Sequence, residues 1–177
     1  MRDRFIPSVF VCLSLLLLPV CAPQPEEKAE QMEKEVPSTE ADVAAIKSVV
    51  IDKWAAAMGA EDVDALMTLY IDEAVSMDPG EPAHVGHRAI RTKFERDLGS
   101  NAFEIVSTLD DVLVSGDYAV VRGSDNDTLS PKGGGEPSKL NSKWMILAER
   151  QADGTWKILW EIWNRNTPPP PAAQTGG

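Results

Sequence analysis

Glu161 is the carboxylate with the least ordinary surroundings in this sequence. It lies in the run GTWKILWEIWN, and in an extended chain Leu159 and Trp163 share its face. A carboxylate between two large apolar side chains needs a partner or holds something. Arg122, in another strand-like run, would supply the partner, and a structural ion pair stands beside a ligand contact as a second reading. His84 and His87 form an HVGH run beside Asp78 and Glu81, the residue types of a two-histidine, one-carboxylate metal site. A glycine breaks that spacing, so it does not put both rings on one helical face, and the chain has 2 histidines in all. No metal and no other cofactor are therefore expected. Nucleophile elbow, phosphate loop and cysteine pair are all missing from the sequence, which leaves hydrolase, nucleotide and redox readings without support.

The elements that must position these groups follow from hydrophobic period. Thr39 and Asp42 start a helix whose apolar face is Val43, Ile46, Val50, Trp54 and Ala57, ending near Gly59. Asp62 caps a second helix, with Val63, Leu66, Met67 and Tyr70 on one side. It gives way to AVSMDPGEP, where prolines and glycine forbid regular helix. A third helix begins near Gly86 and carries Ile90, Phe94 and Leu98. After Gly99 the period shortens to two, in FEIVSTLDDVLVSG, DYAVVRGSDNDTLS, SKLNSKWMILAERQ and GTWKILWEIWN. Gly116-Asp117, PKGGGEPS and Ala152-Asp153-Gly154 supply the turns. Three helices followed by hairpin-linked strands give an α+β fold with the helices on one face of a curved antiparallel sheet.

Strict alternation in the last strand puts Trp156, Ile158, Trp160 and Ile162 on the face opposite Glu161. Three helices cover one sheet face from within, so this stripe is the expected face of a homodimer.

The N-terminus, MRDRFIPSVFVCLSLLLLPVCAPQ, places basic residues ahead of a short apolar run, the layout of an export signal. Leu18-Pro19-Val20-Cys21 resembles a bacterial lipobox in which Cys21 is lipidated; cleavage after Ala22 is the alternative processing route. With Cys12 lost in the signal, Cys21 would be the sole cysteine, and no intrachain disulfide would form. The expected organisation is a signal over 1–21, a polar tether over 22–38, a folded domain over 39–167 and a proline-rich tail over 168–177. Contact with a membrane would be through the lipid anchor only, at the cell envelope, with a soluble periplasmic or secreted form as the alternative. The net charge of -11 repels phosphate backbones, so nucleic acid is not an expected partner.

In YIDEAVSMDPGEPAHVGHRAIRTKF, the order of Tyr70, Asp72 with Glu73, Ala74, Asp78 with Pro79, then Gly86, Ala89 and Ile90 resembles the SnoaL-like and ketosteroid-isomerase-like cone domains of the nuclear transport factor 2-like superfamily. The closing DGTWKILWEIWN is similar to the last strand of that family's uncharacterised branch. The resemblance implies a cystatin-like cone with a pocket, and it places the isomerases' proton-shuttle aspartate on Asp78. The oxyanion tyrosine of those isomerases falls on Trp54, the protonated acid on Met145 or Ile146, and the supporting tyrosines on Tyr70 and Phe94. With that electrophilic half replaced, steroid isomerisation is not expected. Asp78 is also simply a good turn residue, in Asp-Pro-Gly.

The pocket expected from parity and resemblance has Trp54, Tyr70, Phe94, Met145, Leu159 and Trp163 around Asp78 and Glu161. An apolar wall should raise at least one of those carboxyls, and Arg122 would reverse the sign for Glu161. The expected function is binding of a small apolar molecule, or a dimeric interaction module. Acid–base catalysis of cyclase, lyase or hydratase type, with Asp78 or Glu161 as base, is the alternative. A protein-binding envelope component is the third reading.

Overall fold

The computed structural model describes residues 40–166. The expectations for the signal, Cys21, the tether and the tail fall on 1–39 and 167–177, outside the described residues.

The first helix is continuous but not uniform: α1 (Glu40–Lys47) passes through a π-helical stretch (Ser48–Lys53) into α2 (Trp54–Gly59). A π turn adds a residue to the α register. Consecutive Val49, Val50 and Ile51 are accordingly all buried, which a single α-helical stripe would not achieve. The short α3 (Val63–Thr68) starts where the Asp62 carboxylate accepts the Ala65 N–H at 2.9 Å. Tyr70 is not on that helix. It opens strand β1 (Tyr70–Met77), which takes in Ala74 to Met77 at the start of the segment expected to be irregular. Asp78-Pro79-Gly80-Glu81 then turns, with the Glu81 N–H donating to the Asp78 carbonyl at 3.3 Å and Gly80 at φ 82°, the left-handed position a type II turn reserves for glycine. The chain returns as β2 (His84–Val85) and enters α4 (His87–Ser100), whose Ile90, Phe94 and Leu98 are buried.

The remaining strands are β3 (Asn101–Glu104), β4 (Ser107–Ser115), β5 (Tyr118–Pro131), β6 (Ser138–Arg150) and β7 (Trp156–Arg165). They pair antiparallel in the order β7-β6-β5, and both β3 and β4 lie along the long β5. The sheet is mixed rather than purely antiparallel, because β1 joins its edge parallel to β7, with β2 beyond it. The helices cover one face, and Ile46, Leu66, Phe94, Val121 and Ile158 form the fully buried centre beneath them. Among the described residues no helix is long and apolar enough to cross a membrane.

One irregularity decides the two faces of β7. Ile158 pairs with Ala148, but Trp160 pairs with Leu147, so Leu159 is an extra residue at a β-bulge. Side-chain parity therefore flips within the strand. Trp156 and Ile158 lie in the core under the helices, which corrects their assignment to the outer stripe. Trp160 and Ile162 do face outward, with Trp160 50% exposed. Glu161 turns inward past the bulge.

Candidate functional site

Helices and sheet enclose a cavity of about 300 Å³ at the open end of the cone, the lower end of the range for small-molecule sites. Trp54 from α2, Lys93 from α4, and Glu161 and Trp163 from β7 form one end of it with Asp78. Tyr70 and Phe94 stand behind them, fully buried, with ring centres 5.9 Å apart. Met145 does not line the cavity. It is 50% exposed on the outer face opposite Ile162, and its inward neighbour Ile146 takes the expected place. Leu159 is likewise outside the lining, because it is the bulge residue.

The polar groups at this end form one hydrogen-bonded chain. The Trp54 indole N–H donates to the Tyr70 hydroxyl at 3.0 Å, and that hydroxyl donates to Glu161 Oε2 at 2.7 Å. Burial, then the charge of Glu161, pushes the Tyr70 phenol well above its ordinary range, so it acts as a neutral donor. Glu161 Oε1 lies 2.5 Å from Ser76 Oγ, and Ser76 Oγ lies 3.1 Å from Asp78 Oδ2. A hydroxyl has one hydrogen, and the shorter contact assigns it to Glu161. The Ser76 oxygen is thereby left facing Asp78 as an acceptor, ready for a proton that Asp78 takes up.

The cation at this end belongs to Asp78, and it is Lys93, not the Arg122 expected beside Glu161. Lys93 Nζ reaches Asp78 Oδ1 at 3.0 Å, both side chains are buried, and the Trp163 indole N–H donates to the same oxygen at 2.7 Å. Burial alone would raise the Asp78 carboxyl; the Lys93 charge and the hydrogen bonds from Trp163 and Lys93 outweigh it and hold the carboxyl below its usual range. At least one of Asp78 and Glu161 was expected to be raised, and Asp78 shifts the other way. Arg122 faces outward to Asp110 and Asp111 at 3.5 and 3.6 Å, because β5 parity sends it to the far side of the sheet from Glu161. The two histidines diverge: His84 meets Glu81 at 3.0 Å, whereas His87 turns to the Tyr70 carbonyl at 3.1 Å. Among the described residues no cluster suits a metal ion.

The opposite wall carries two carboxylates that sequence reasoning missed. Asp125 and Asp127 are buried on the inner face of β5, continuing the parity of Ala119, Val121 and Gly123. Asp125 Oδ1 accepts Ser107 Oγ–H at 2.5 Å and the Trp144 indole N–H at 2.8 Å. Asp127 Oδ1 accepts the Val106 N–H at 3.1 Å. Burial raises both carboxyls, Asp127 to about 6 despite the Val106 bond, with the Asp125 charge adding to the effect. Gly123 makes room for this wall: a Cβ there would run into the Trp144 ring and the Thr108 carbonyl oxygen. The detectable signal was the alternation itself, which runs on through the polar residues of GSDNDT.

A family profile described as a SnoaL-like domain matches residues 51–157. Among solved structures, a ketosteroid isomerase-like protein from Erwinia carotovora atroseptica is similar at 24% identity, with a TM-score of 0.68 over 73% of this chain and 100% of that one. A conserved protein from Planctomyces limnophilus is similar at 22% identity, with a TM-score of 0.66 over 72% and 99% of the two chains. A proposed dehydratase of the nuclear transport factor 2-like family from Streptomyces avermitilis is similar at 19% identity, with a TM-score of 0.65 over 74% and 100%. At such identities the likeness is one of fold. No curated protein sequence matches the chain.

Proposed function

The chain belongs to the SnoaL-like domain family, and from that premise we propose that its cone binds a small, mostly apolar molecule bearing polar groups. The observation that carries this reading is the continuous chain Trp54–Tyr70–Glu161–Ser76–Asp78, set at one end of a cavity that Phe103, Leu140, Trp144 and Ile146 also line. Buried polar networks cost desolvation unless fully satisfied. This one is satisfied internally, yet it presents Asp78 and Glu161 to a space large enough for a ligand.

Acid–base catalysis is the second reading, favoured by one contact. Asp78 is held ionised by Lys93 beside the Ser76 oxygen, so a proton taken from a ligand would have an acceptor waiting, as a general base requires. The Streptomyces avermitilis neighbour, named as a dehydratase, is consistent with such chemistry on this fold. Native mass spectrometry of the chain against a metabolite extract, for wild type, Asp78→Asn and Glu161→Gln, tests both readings. A bound molecule lost in either variant at unchanged melting temperature supports the pocket. Conversion of that molecule by wild type but not Asp78→Asn supports catalysis. Binding unaffected by both changes would sink the site.

We also propose that the protein is exported and anchored at the cell envelope through Cys21, as the N-terminal pattern suggests. A homodimer through the outer sheet face completes the proposal. Support for it is the apolar surface made by Leu113, Val120, Met145, Trp160 and Ile162, each at least 40% exposed.

A further inference from the structure

Asp125 and Asp127 form a pair with no cation of their own. Same-face neighbours on a strand stand roughly 6.7 Å apart, close enough for one ligand group to meet both. Among the described residues neither makes an ion pair, in contrast to Asp78, which has Lys93. Asp125 has two neutral donors on one oxygen. Asp127 is 5% exposed, and beyond the Val106 N–H on Oδ1 its second oxygen has no partner among the described residues, although the side chain lines the cavity. An ionised carboxylate buried without a counter-charge is expensive, and the cost is removed by protonation or by a cation. The walls beside the pair are apolar and aromatic, with Phe103, Leu129, Leu140 and Trp144 among them. Over the whole cavity six carboxylates face three cationic side chains.

We propose that the wall formed by Asp125 and Asp127 receives the ammonium group of an amine ligand whose apolar body lies across Phe103 and Trp144. This rests on the pocket reading above and names its ligand class. The ammonium would donate to the free Asp127 oxygen and to Asp125. The far end, with Lys93, Asp78 and Glu161, then meets whatever polar group the amine carries at its other end. No covalent step is involved.

The pair's titration supplies an independent test. The charged groups facing it across the cavity are Asp78 and Lys93, Glu161 on β7 and Arg165 near the strand's end, with Glu81, Arg96 and Asp97 beyond; β3, β4 and β6 line the cavity with no ionisable side chain. Asp127 titrates near 6, so binding of a cation should weaken as the pH falls through that value, while binding of a neutral molecule should not.

Titration of the full-length chain with benzylamine and its neutral counterpart benzyl alcohol, followed by the Trp144 indole N–H signal in NMR, decides the matter. Benzylamine should bind about tenfold or more tightly than benzyl alcohol near pH 8, the scale of one charge-assisted hydrogen bond. That preference should disappear near pH 5 in wild type, and at all pH values in Asp127→Asn, with benzyl alcohol binding retained. The wild-type pH series stands even if Asp127→Asn fails to fold. Equal binding of the two probes, or a preference unchanged by pH and by Asp127→Asn, overturns the amine proposal and leaves the pocket reading intact. If neither probe shifts the indole signals of Trp144 and Trp163, both readings fall together.

Discussion

Replacing Lys93 by Met would test the electrostatic account of the cavity most directly. Lys93 and Asp78 are 3.0 Å apart with side chains 9% and 6% exposed, so the substitution removes the counter-charge and leaves a carboxylate in a desolvated place. Breaking a buried pair from one side typically costs about 3–5 kcal/mol. The cost has an upper limit, because Asp78 can protonate once its folded-state pKa rises, at about 1.4 kcal/mol for each unit between its unfolded value and the working pH. The Trp163 indole still donates to it, which places the expected loss at about 2–4 kcal/mol at pH 7. The pH dependence carries the sign. In wild type the Asp78 carboxyl is depressed, so it contributes stability above its unfolded value near 4, lost as pH falls through the lower folded value. In Lys93→Met the folded value is raised, so the penalty is largest at neutral pH and shrinks as the solution becomes acidic. Urea unfolding of both proteins at about pH 7 and pH 4 measures this, and Lys93→Met with Asp78→Asn should recover much of the loss. A penalty under about 1 kcal/mol at pH 7, or one that does not shrink on acidification, would refute the reasoning.

Gly123→Ala should destabilise by about 2–3 kcal/mol or more, since the new methyl meets the backbone carbonyl of Thr108 as well as the Trp144 ring; a chemical denaturation midpoint within error of wild type would contradict it. Asp127, raised to about 6, binds a proton more tightly folded than unfolded, so stability should fall by about 1–3 kcal/mol as pH rises from 4 to 7. That slope should flatten in Asp127→Asn when melts are compared across the range. Trp160→Lys, on the exposed outer face, should convert a dimer to a monomer in sedimentation velocity with the melting curve of the monomer unchanged. Palmitate labelling should be present in wild type and lost in Cys21→Ala, while equal labelling of the two would end the lipid-anchor proposal.

Helices and strands were legible because their periods are: Ile90, Phe94 and Leu98 recur at helical spacing and are buried together. Ser76 was hidden because the prolines and glycine after it made its segment read as a loop, whereas β1 ends at Met77, just ahead of them. Lys93 was hidden for a different reason. In HRAIRTKFERDLGS it reads as a solvated residue beside the apolar stripe, but its Nζ lies 4.4 Å from the Phe94 ring centre and reaches inward to Asp78. Long cationic side chains are apolar for most of their length, so sequence position alone does not say where the charge ends. Asp125 and Asp127 were legible in principle, since the inner-face parity of Ala119 and Val121 passes through both.

The bulge at Leu159 shows why parity reached the right residues in part only. Counting twos along GTWKILWEIWN puts Trp156 and Trp160 on one face, and a strand without a bulge would either expose both or bury both. A bulge costs little in sequence terms, because any residue can be the extra one. Its structural consequence is large: the two halves of β7 serve different layers. The first half packs Trp156 and Ile158 beneath the helices, where the cone is closed. The second half turns Glu161 and Trp163 into the open end, where each reaches a group carried by β1 or the turn after it: Ser76 for Glu161, and Asp78 for Trp163. β1 meets that change with its own irregularity, between Tyr70 and Val75, which keeps Ser76 opposite Glu161 in register. The two irregular stretches therefore belong together. Without the register that sets Ser76 opposite Glu161, the Tyr70 hydroxyl alone would donate to that carboxylate.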